Sequence, residues 1–338
     1  MTFAKEGRDP EMKIFVYSCR DFDEDAYFAR YSREYGVELG ICRDAPTMEN
    51  ARLAKGYDAI SILTTPVDGP LVEEFHKLGV RMISTRTVGY DHVDCVKAKE
   101  LGVQVSNATY PADSVAEYTV MLMMMTIRRM KRILERAALN DFSLKGNQGR
   151  ILTDYTVGVV GTGKIGRRVV ELLSGFGCTV LAYDLYESEE VKAHAQYVSL
   201  DEIYARCGLI TFHMPLNEQN FHMVSAESIA RMRDGVVLIN TARGGLIDSA
   251  ALIAGLESGK IGGAGLDVVE NEFDLYYYDR KADVFENHEL FILRGFPNVV
   301  VTPHMAFYTD SAVSNMVLSS VKSCVLMEEG KENPWRVV

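Results

Sequence analysis

The 338-residue chain has no basic excess. Its 36 lysines and arginines stand against 47 aspartates and glutamates, a formal net charge of −11. That balance repels phosphate backbones and anionic lipid headgroups, which makes nucleic acid and membrane surfaces poor partners. Nor is there a Cys-x-x-Cys pair: Cys19, Cys42, Cys95, Cys178, Cys207 and Cys324 are scattered. The pattern speaks against a metal centre or a disulfide framework and for reduced thiols in a cytoplasmic setting. No apolar run reaches the ~20 residues a bilayer requires. The nearest, 115–127, is interrupted by Glu117 and closed by Arg128 and Arg129, so it reads as a buried or interfacial helix. Residues 1–11 are polar, lack the apolar core of a signal peptide, and read as a loose extension. No internal repeat or low-complexity segment breaks the chain.

What is present is alternation. Apolar runs at 14–17, 37–41, 59–63, 80–84 and 103–106 are separated by amphipathic segments around 25–35, 48–55, 72–78 and 93–101. This rhythm predicts strands and crossover helices, hence a parallel sheet covered on both faces. Ser114 and Glu117 have capping-box spacing, which predicts one long helix from there to about residue 138. After a loop at 145–154, further strands are expected at 209–213, 236–241, 265–269 and 299–302, with a final helix over 308–329. The irregular stretch 270–295 contains Tyr276, Tyr277 and Tyr278, read as packing residues. The early sheet needs cover that the last helix can supply. The chain therefore reads as two doubly wound α/β domains: residues 1–108 plus 306–338, and an inserted domain at 109–305. Such pairs hold ligands in a cleft at the carboxyl ends of strands.

The inserted domain is organised around Val157-Gly158-Val159-Val160-Gly161-Thr162-Gly163-Lys164-Ile165-Gly166. A β-branched run enters Gly-x-Gly-x-x-Gly and a helix follows. Gly161 permits the tight turn, Gly163 lets a pyrophosphate reach the backbone, and Gly166 lets helix and strand pack closely. The helix start offers unpaired N–H groups to the phosphates. The next strand, 179–183, ends at Asp184. An acid there accepts both ribose hydroxyls of an adenosine and repels a 2′-phosphate, which predicts NADH over NADPH.

Beyond the glycine loop, successive strand ends carry an arginine (Arg243), acids (Asp267, Glu270, Glu272) and a histidine (His304). A guanidinium grips a carboxylate with two parallel hydrogen bonds. A histidine beside it can donate a proton to a ketone oxygen as hydride arrives from a dihydronicotinamide. A carboxylate on the other imidazole nitrogen fixes the tautomer and stabilises imidazolium. The trio suits reduction of a 2-oxo acid.

Gly-Thr-Gly-Lys-Ile-Gly, Asn240-Thr241-Ala242-Arg243-Gly244, Leu266-Asp267-Val268-Val269-Glu270-Asn271-Glu272 and Thr302-Pro303-His304-Met305-Ala306-Phe307-Tyr308-Thr309 together resemble the D-isomer-specific 2-hydroxyacid dehydrogenases. The resemblance runs from about Lys13 to Glu329 and is nearest the D-lactate dehydrogenase branch, including its vancomycin-resistance relatives. It implies a Rossmann NAD-binding domain inserted into a flavodoxin-like catalytic domain, a homodimer, and no metal. It assigns Arg243 to the substrate carboxylate and carbonyl, Glu272 to supporting the histidine, and His304 to proton transfer. Lys164 and Ile165 would meet the pyrophosphate, His213, Met214, Pro215 and Asn220 the adenine side, and Thr241, Ala242 and Asp267 the nicotinamide end. Arg86-Thr87-Val88-Gly89-Tyr90-Asp91-His92 is similar to the family's substrate loop, in which Val88 and Gly89 N–H groups hold the carboxylate; His92 is read as structural. Tyr110 would reach the substrate and Phe307 would wall its pocket. Pyruvate to D-lactate is the leading reaction so implied. The alternatives are larger 2-oxo acids such as 2-oxoisocaproate or phenylpyruvate, or an NAD-sensing protein without catalysis. A formate-type enzyme carries glutamine at the position of Glu272.

Overall fold

A computed structural model describes residues 12–272, 275–277, 279–284 and 286–338. The extension read at residues 1–11, and Tyr278 of the tyrosine triplet, lie outside the described residues. The chain divides into two units: residues up to Pro111 together with Tyr308–Val338, and Ala112–Phe307.

The first unit is a five-stranded sheet of β1 (Lys13–Val16), β2 (Glu38–Ile41), β3 (Ala59–Ile62), β4 (Met82–Thr85) and β5 (Gln104–Ser106), in the order β2-β1-β3-β4-β5. Every pairing is parallel. The central strands β3 and β4 are buried on both faces, as a parallel sheet requires. Ile60, Ile62 and Ile83 are fully buried, each stabilising the unit by ~1.5–3 kcal/mol relative to an exposed side chain. The last long helix, Asp310–Glu328, is capped by Thr309, whose side chain accepts from the Ala312 N–H. It covers the sheet, with Ser320 Oγ 2.7 Å from Ser61 Oγ. That is the cover the alternation pattern calls for.

One ion pair is fully enclosed in this unit. Arg86 Nε donates to Glu24 at 2.8 Å with both side chains buried. Its other nitrogens donate to Ser61 Oγ and to the carbonyls of Tyr17 and Ser18, and the guanidinium lies 5.4 Å from the Phe28 ring centroid. Arg86 follows β4 directly and leads into the Thr87–Gly89 turn.

The second unit is a seven-stranded parallel sheet. Its strands are β6 (Thr156–Val160), β7 (Thr179–Tyr183), β8 (Gln196–Tyr197), β9 (Leu209–Phe212), β10 (Val236–Asn240), β11 (Ile261–Leu266) and β12 (Val299–Val301), in the order β12-β11-β10-β9-β6-β7-β8. The order reverses between β6 and β9, the switch point at which open α/β sheets bind ligands. Both units are therefore doubly wound, as expected.

Three local readings are corrected. The long helix is two helices, Asp113–Ile127 and Met130–Ala138, because Arg129 turns left-handed at φ 55°. The returning chain makes that break possible: Arg150 N–H donates to the Ile127 carbonyl, replacing a helical partner. The capping box is absent, since the helix starts one residue earlier with Ala112 as its cap. Asp113 instead pairs with Arg168 Nε at 2.7 Å. The strand expected at 265–269 is Ile261–Leu266. Its glycines hide the strand from any apolar periodicity, yet Gly265 is needed there: an added Cβ would lie 2.9 Å from Thr126 Oγ1 on the covering helix. β8 is a further strand that the alternation does not reveal.

Glu24→Ala should leave the Arg86 guanidinium buried without its anion, costing about 3–5 kcal/mol. Chemical denaturation of the purified chain measures this; a loss below about 1 kcal/mol would mean the pair is not what holds the Arg86 turn.

Candidate active site

The glycine loop has the geometry its sequence demands. Gly161 is left-handed at φ 91°. An added Cβ on Gly166 would fall 1.8 Å from the Gly161 carbonyl oxygen, whereas one on Gly163 would meet nothing within 4 Å. The open surface at Gly163 is the cradle a pyrophosphate fits, at the start of the Lys164–Ser174 helix. Asp184 closes the loop by accepting from Thr162 N–H at 2.5 Å and Thr162 Oγ1 at 3.1 Å. Its Oδ1 also accepts from Tyr186 N–H at 3.0 Å, and a carboxylate has about four acceptor positions, which leaves one for a ribose hydroxyl. His213 packs beneath the loop, its Cβ 3.3 Å from a Gly166 Cβ. Burial pulls its pKa down to about 3, so the ring is neutral, and its Nε2 pairs with Thr211 Oγ1 at 2.9 Å. Asn220 Nδ2 donates to the Pro215 carbonyl at 2.7 Å, and Thr241 Oγ1 pairs with Thr119 Oγ1 in the core.

Arg243, Glu272 and His304 leave one edge of the sheet. Asn240 pairs with Leu266, and Leu266 with Val301, in the parallel register of β10, β11 and β12. At about 4.8 Å per strand, the arginine and histidine turns start roughly 10 Å apart at the backbone, within reach of one small acid. His304 Nδ1 and Glu272 Oε1 are 2.8 Å apart. Glu272 is held in turn by Val269 N–H, which donates to Oε2 at 3.0 Å. The Arg243 turn is fixed by Asn240, whose Nδ2 donates to the Arg243 carbonyl and whose Oδ1 accepts from Ala242 N–H. Gly244 rests against the backbone of the next turn: an added Cβ would lie 2.1 Å from the Val269 carbonyl. The Arg243 and Glu272 turns are thus in direct contact.

His304 has a left-handed backbone, φ 53°, and Asp267 holds it. The buried Asp267 carboxylate accepts from Thr302 Oγ1 at 2.6 Å and from the Met305 and Ala306 N–H groups at 2.8 Å, while its carbonyl accepts from His304 N–H. Burial pushes the Asp267 pKa up; the Thr302 hydroxyl, the two amides and the charge of His304 oppose that rise.

Residues 120–306 match the model of the D-isomer specific 2-hydroxyacid dehydrogenase family, NAD binding domain. An aromatic 2-oxoacid reductase of Clostridium sporogenes is 45% identical over 90% of this chain and 93% of its own length. The chain belongs to the D-isomer specific 2-hydroxyacid dehydrogenase family. A D-specific alpha-keto acid dehydrogenase of Enterococcus faecium is 40% identical over 95% of this chain and 98% of that protein. Among solved structures, the pyruvate reductase of Chlamydomonas reinhardtii superposes with a TM-score of 0.87 at 34% identity, covering 96% of this chain and 98% of that one.

In this family member the first unit presents the Val88–Gly89 turn with its carbonyls taken. Thr87 Oγ1 donates to the Gly89 carbonyl, Asn107 Nδ2 to that of Val88, and Ala108 N–H to that of Thr87. No donation by the Val88 or Gly89 N–H is seen among the described residues. Tyr110 lies near the end of this unit's first segment, and Phe307 meets the His304 ring edge-on at 6.4 Å.

Two features escaped the motifs. Glu270 pairs with His222 Nε2 at 2.6 Å and accepts from Ser249 N–H, tying the flank of the Glu272 turn to the helix Ser249–Glu257. Tyr277, read as packing, has its hydroxyl on the His304 carbonyl. Neither belongs to a periodic pattern, so spacing alone could not have singled them out. No group of three or more potential metal-ligating side chains is found among the described residues, and no helix among them is long and apolar enough to cross a membrane.

The loop geometry separates two glycine roles. Gly166→Ala should destabilise the chain by about 1–3 kcal/mol through overpacking. Gly163→Ala should cost under about 1 kcal/mol, the price of a poorer helix cap, yet weaken NADH binding. Thermal denaturation and fluorescence titration with NADH distinguish them; equal destabilisation would make both packing residues.

Proposed function

We propose that this chain is an NADH-dependent reductase of 2-oxo acids yielding D-2-hydroxy acids, with an aromatic 2-oxo acid such as phenylpyruvate as its preferred substrate. The observation that carries the reading is the 2.8 Å pair of His304 Nδ1 with Glu272, set on the strand edge that also bears Arg243. With Nδ1 committed to the carboxylate, Nε2 is the nitrogen that serves the substrate. His304 enters protonated and donates from Nε2 to the ketone oxygen as that oxygen gains electrons. Glu272 stabilises the imidazolium beforehand and keeps the ring oriented. Arg243 binds the substrate carboxylate and polarises the carbonyl. Asp267 acts through the turn that carries His304.

The bound dinucleotide supplies the hydride. Gly161, Gly163, Lys164, Ile165 and Gly166 would hold its pyrophosphate, Asp184 its ribose, His213, Met214, Pro215 and Asn220 its adenine side, and Thr241 and Ala242 its nicotinamide end. Asp184 disfavours a 2′-phosphate by like charge, which supports NADH over NADPH.

Two observations favour an aromatic side chain over the pyruvate that the motifs alone put first. The Clostridium sporogenes relative is an aromatic 2-oxoacid reductase, at 45% identity, and the Phe307 ring stands beside His304. The pyruvate-to-D-lactate reading keeps support from the Chlamydomonas reinhardtii pyruvate reductase. One methylene in an apolar pocket changes specificity by only ~1–3 kcal/mol, so both substrates belong in one panel. The six free cysteines support a reducing compartment such as the cytoplasm.

A second copy of the chain is the partner we propose. The helix Met130–Ala138 has no buried residue, and Leu134, Leu139, Phe142 and Leu144 are exposed along it and the following loop. An apolar row of this kind marks an interaction surface.

NADH oxidation followed at 340 nm with phenylpyruvate, 2-oxoisocaproate and pyruvate, with chiral analysis of the product, should show D-hydroxy acid formation and a clear preference for NADH. His304→Ala should lower kcat ~10²–10⁴-fold. Absence of turnover with every 2-oxo acid would favour an NAD-sensing role instead. Light scattering should give the mass of a dimer, and Leu139→Asp combined with Phe142→Asp should shift it to a monomer; an unchanged mass would place the interface elsewhere.

A further inference from the structure

Tyr277 lies outside the motif-bearing turns, and its conformation needs a reason. Its φ is 72°, a left-handed backbone that a bulky residue keeps only where its surroundings over-determine it. Contacts with the His304 turn and Phe307 help to constrain it. The hydroxyl donates to the His304 carbonyl at 3.1 Å, the ring lies tilted 6.4 Å from the His304 ring, and its edge meets Phe307 at 6.2 Å and 88°. Phe307 and His304 meet at 6.4 Å and 80°. The three rings close a triangle in which every side is within the range of aromatic pairing. Tyr277 nevertheless keeps 41% of its surface exposed. A partly exposed ring, held by its hydroxyl and adjoining the proton donor, has the form of a recognition surface.

We propose that Tyr277, together with Phe307, forms the subsite that receives the side chain of an aromatic 2-oxo acid. The inference rests on His304 being the proton donor of the reading above. A ketone oxygen bonded to the imidazole leaves the substrate's side chain only a few bonds away, in the neighbourhood of the two rings. A phenyl group there gains edge-to-face contacts that the methyl of pyruvate cannot make. Tyr277 is thereby a specificity residue: it selects the tail of the substrate, while Arg243 holds the head.

The competing explanation is a strut, in which the Tyr277 hydroxyl only steadies the His304 turn. The two differ in a ratio. With saturating NADH, kcat/KM is measured for phenylpyruvate and pyruvate in the wild type, Tyr277→Phe, Tyr277→Leu and Tyr277→Ala. A specificity role predicts that Tyr277→Ala and Tyr277→Leu lower the phenylpyruvate-to-pyruvate ratio roughly tenfold. Tyr277→Phe, which keeps the ring, should hold the ratio within about twofold even if both rates fall together. Tyr277→Leu preserves bulk, so it decides the matter should the alanine variant not fold. Equal losses on both substrates, or a phenylalanine variant that behaves like alanine, would overturn the subsite while leaving the dehydrogenase reading intact. A wild type that reduces neither acid would overturn both.

Discussion

The structure depends on keeping His304 in a backbone conformation it would not choose. A left-handed non-glycine residue costs of order 1–3 kcal/mol and persists only where the surroundings hold it. Asp267 supplies that restraint with one hydroxyl and two amide donors on its carboxylate and the His304 amide on its carbonyl. The arrangement is self-consistent. Each of those donors is buried or half-buried and would be costly unpaired, and the carboxylate would be costly without them. From that turn the imidazole presents Nδ1 to Glu272 at 2.8 Å. The restrained backbone places the ring, the carboxylate on Nδ1 sets the tautomer, and the tautomer determines which nitrogen can exchange a proton with a ligand.

The first unit uses the same device with the opposite charge. Asp267 directly follows β11, and Arg86 directly follows β4; both side chains are fully buried. In each case a buried ionisable group at a strand end gathers the hydrogen-bonding groups of an irregular turn: residues 302–306 for the aspartate, and Tyr17, Ser18 and Glu24 for the arginine. Burial of a charge is expensive, and an apolar replacement of the whole network could be as stable. What such a network adds is geometric specificity, because hydrogen bonds from several turns to one group admit little variation in backbone position. That is a property a turn needs when its amides or side chains must meet a ligand, and loops seldom have it on their own.

Much of this was legible in the residues. The strands of both sheets lie within two residues of where apolar alternation puts them, apart from β8 and β11. Parallel strands buried on both faces leave a strong signal of continuous apolar runs. β11 was displaced because Gly262, Gly263 and Gly265 replace the side chains by which a strand is recognised; close packing against the Gly235 carbonyl, the Asn298 carbonyl and Thr126, not hydrophobicity, leaves no room for a Cβ there. The helix break at Arg129 was hidden for a related reason. Nothing in Arg128–Arg129 disfavours a helix, and the decision comes from a partner distant in sequence, the Arg150 amide. For the site, Arg243, Glu272 and His304 could be placed on one edge because each follows a strand by a few residues. The service of Asp267 to the His304 turn could not be read, since an acid's partners are set by tertiary structure.

The same distinction explains why the motifs speak to the reaction more clearly than to the substrate. Arg243, Glu272 and His304, to which the proposed reading gives the acid head and the ketone, stand three to six residues beyond adjacent strands, so the register of the sheet sets where their turns begin. The proposed subsite for the substrate's side chain lies on other parts. Phe307 lies just beyond the constrained turn, and Tyr277 belongs to an irregular stretch in which strand and helix rules have little purchase. Its contacts with His304 and Phe307 are ring against ring, with shallow distance dependence and no fixed spacing in the chain. On the proposed reading, selectivity for the tail of the acid rests on the rings beside the histidine and not on the motif that carries it.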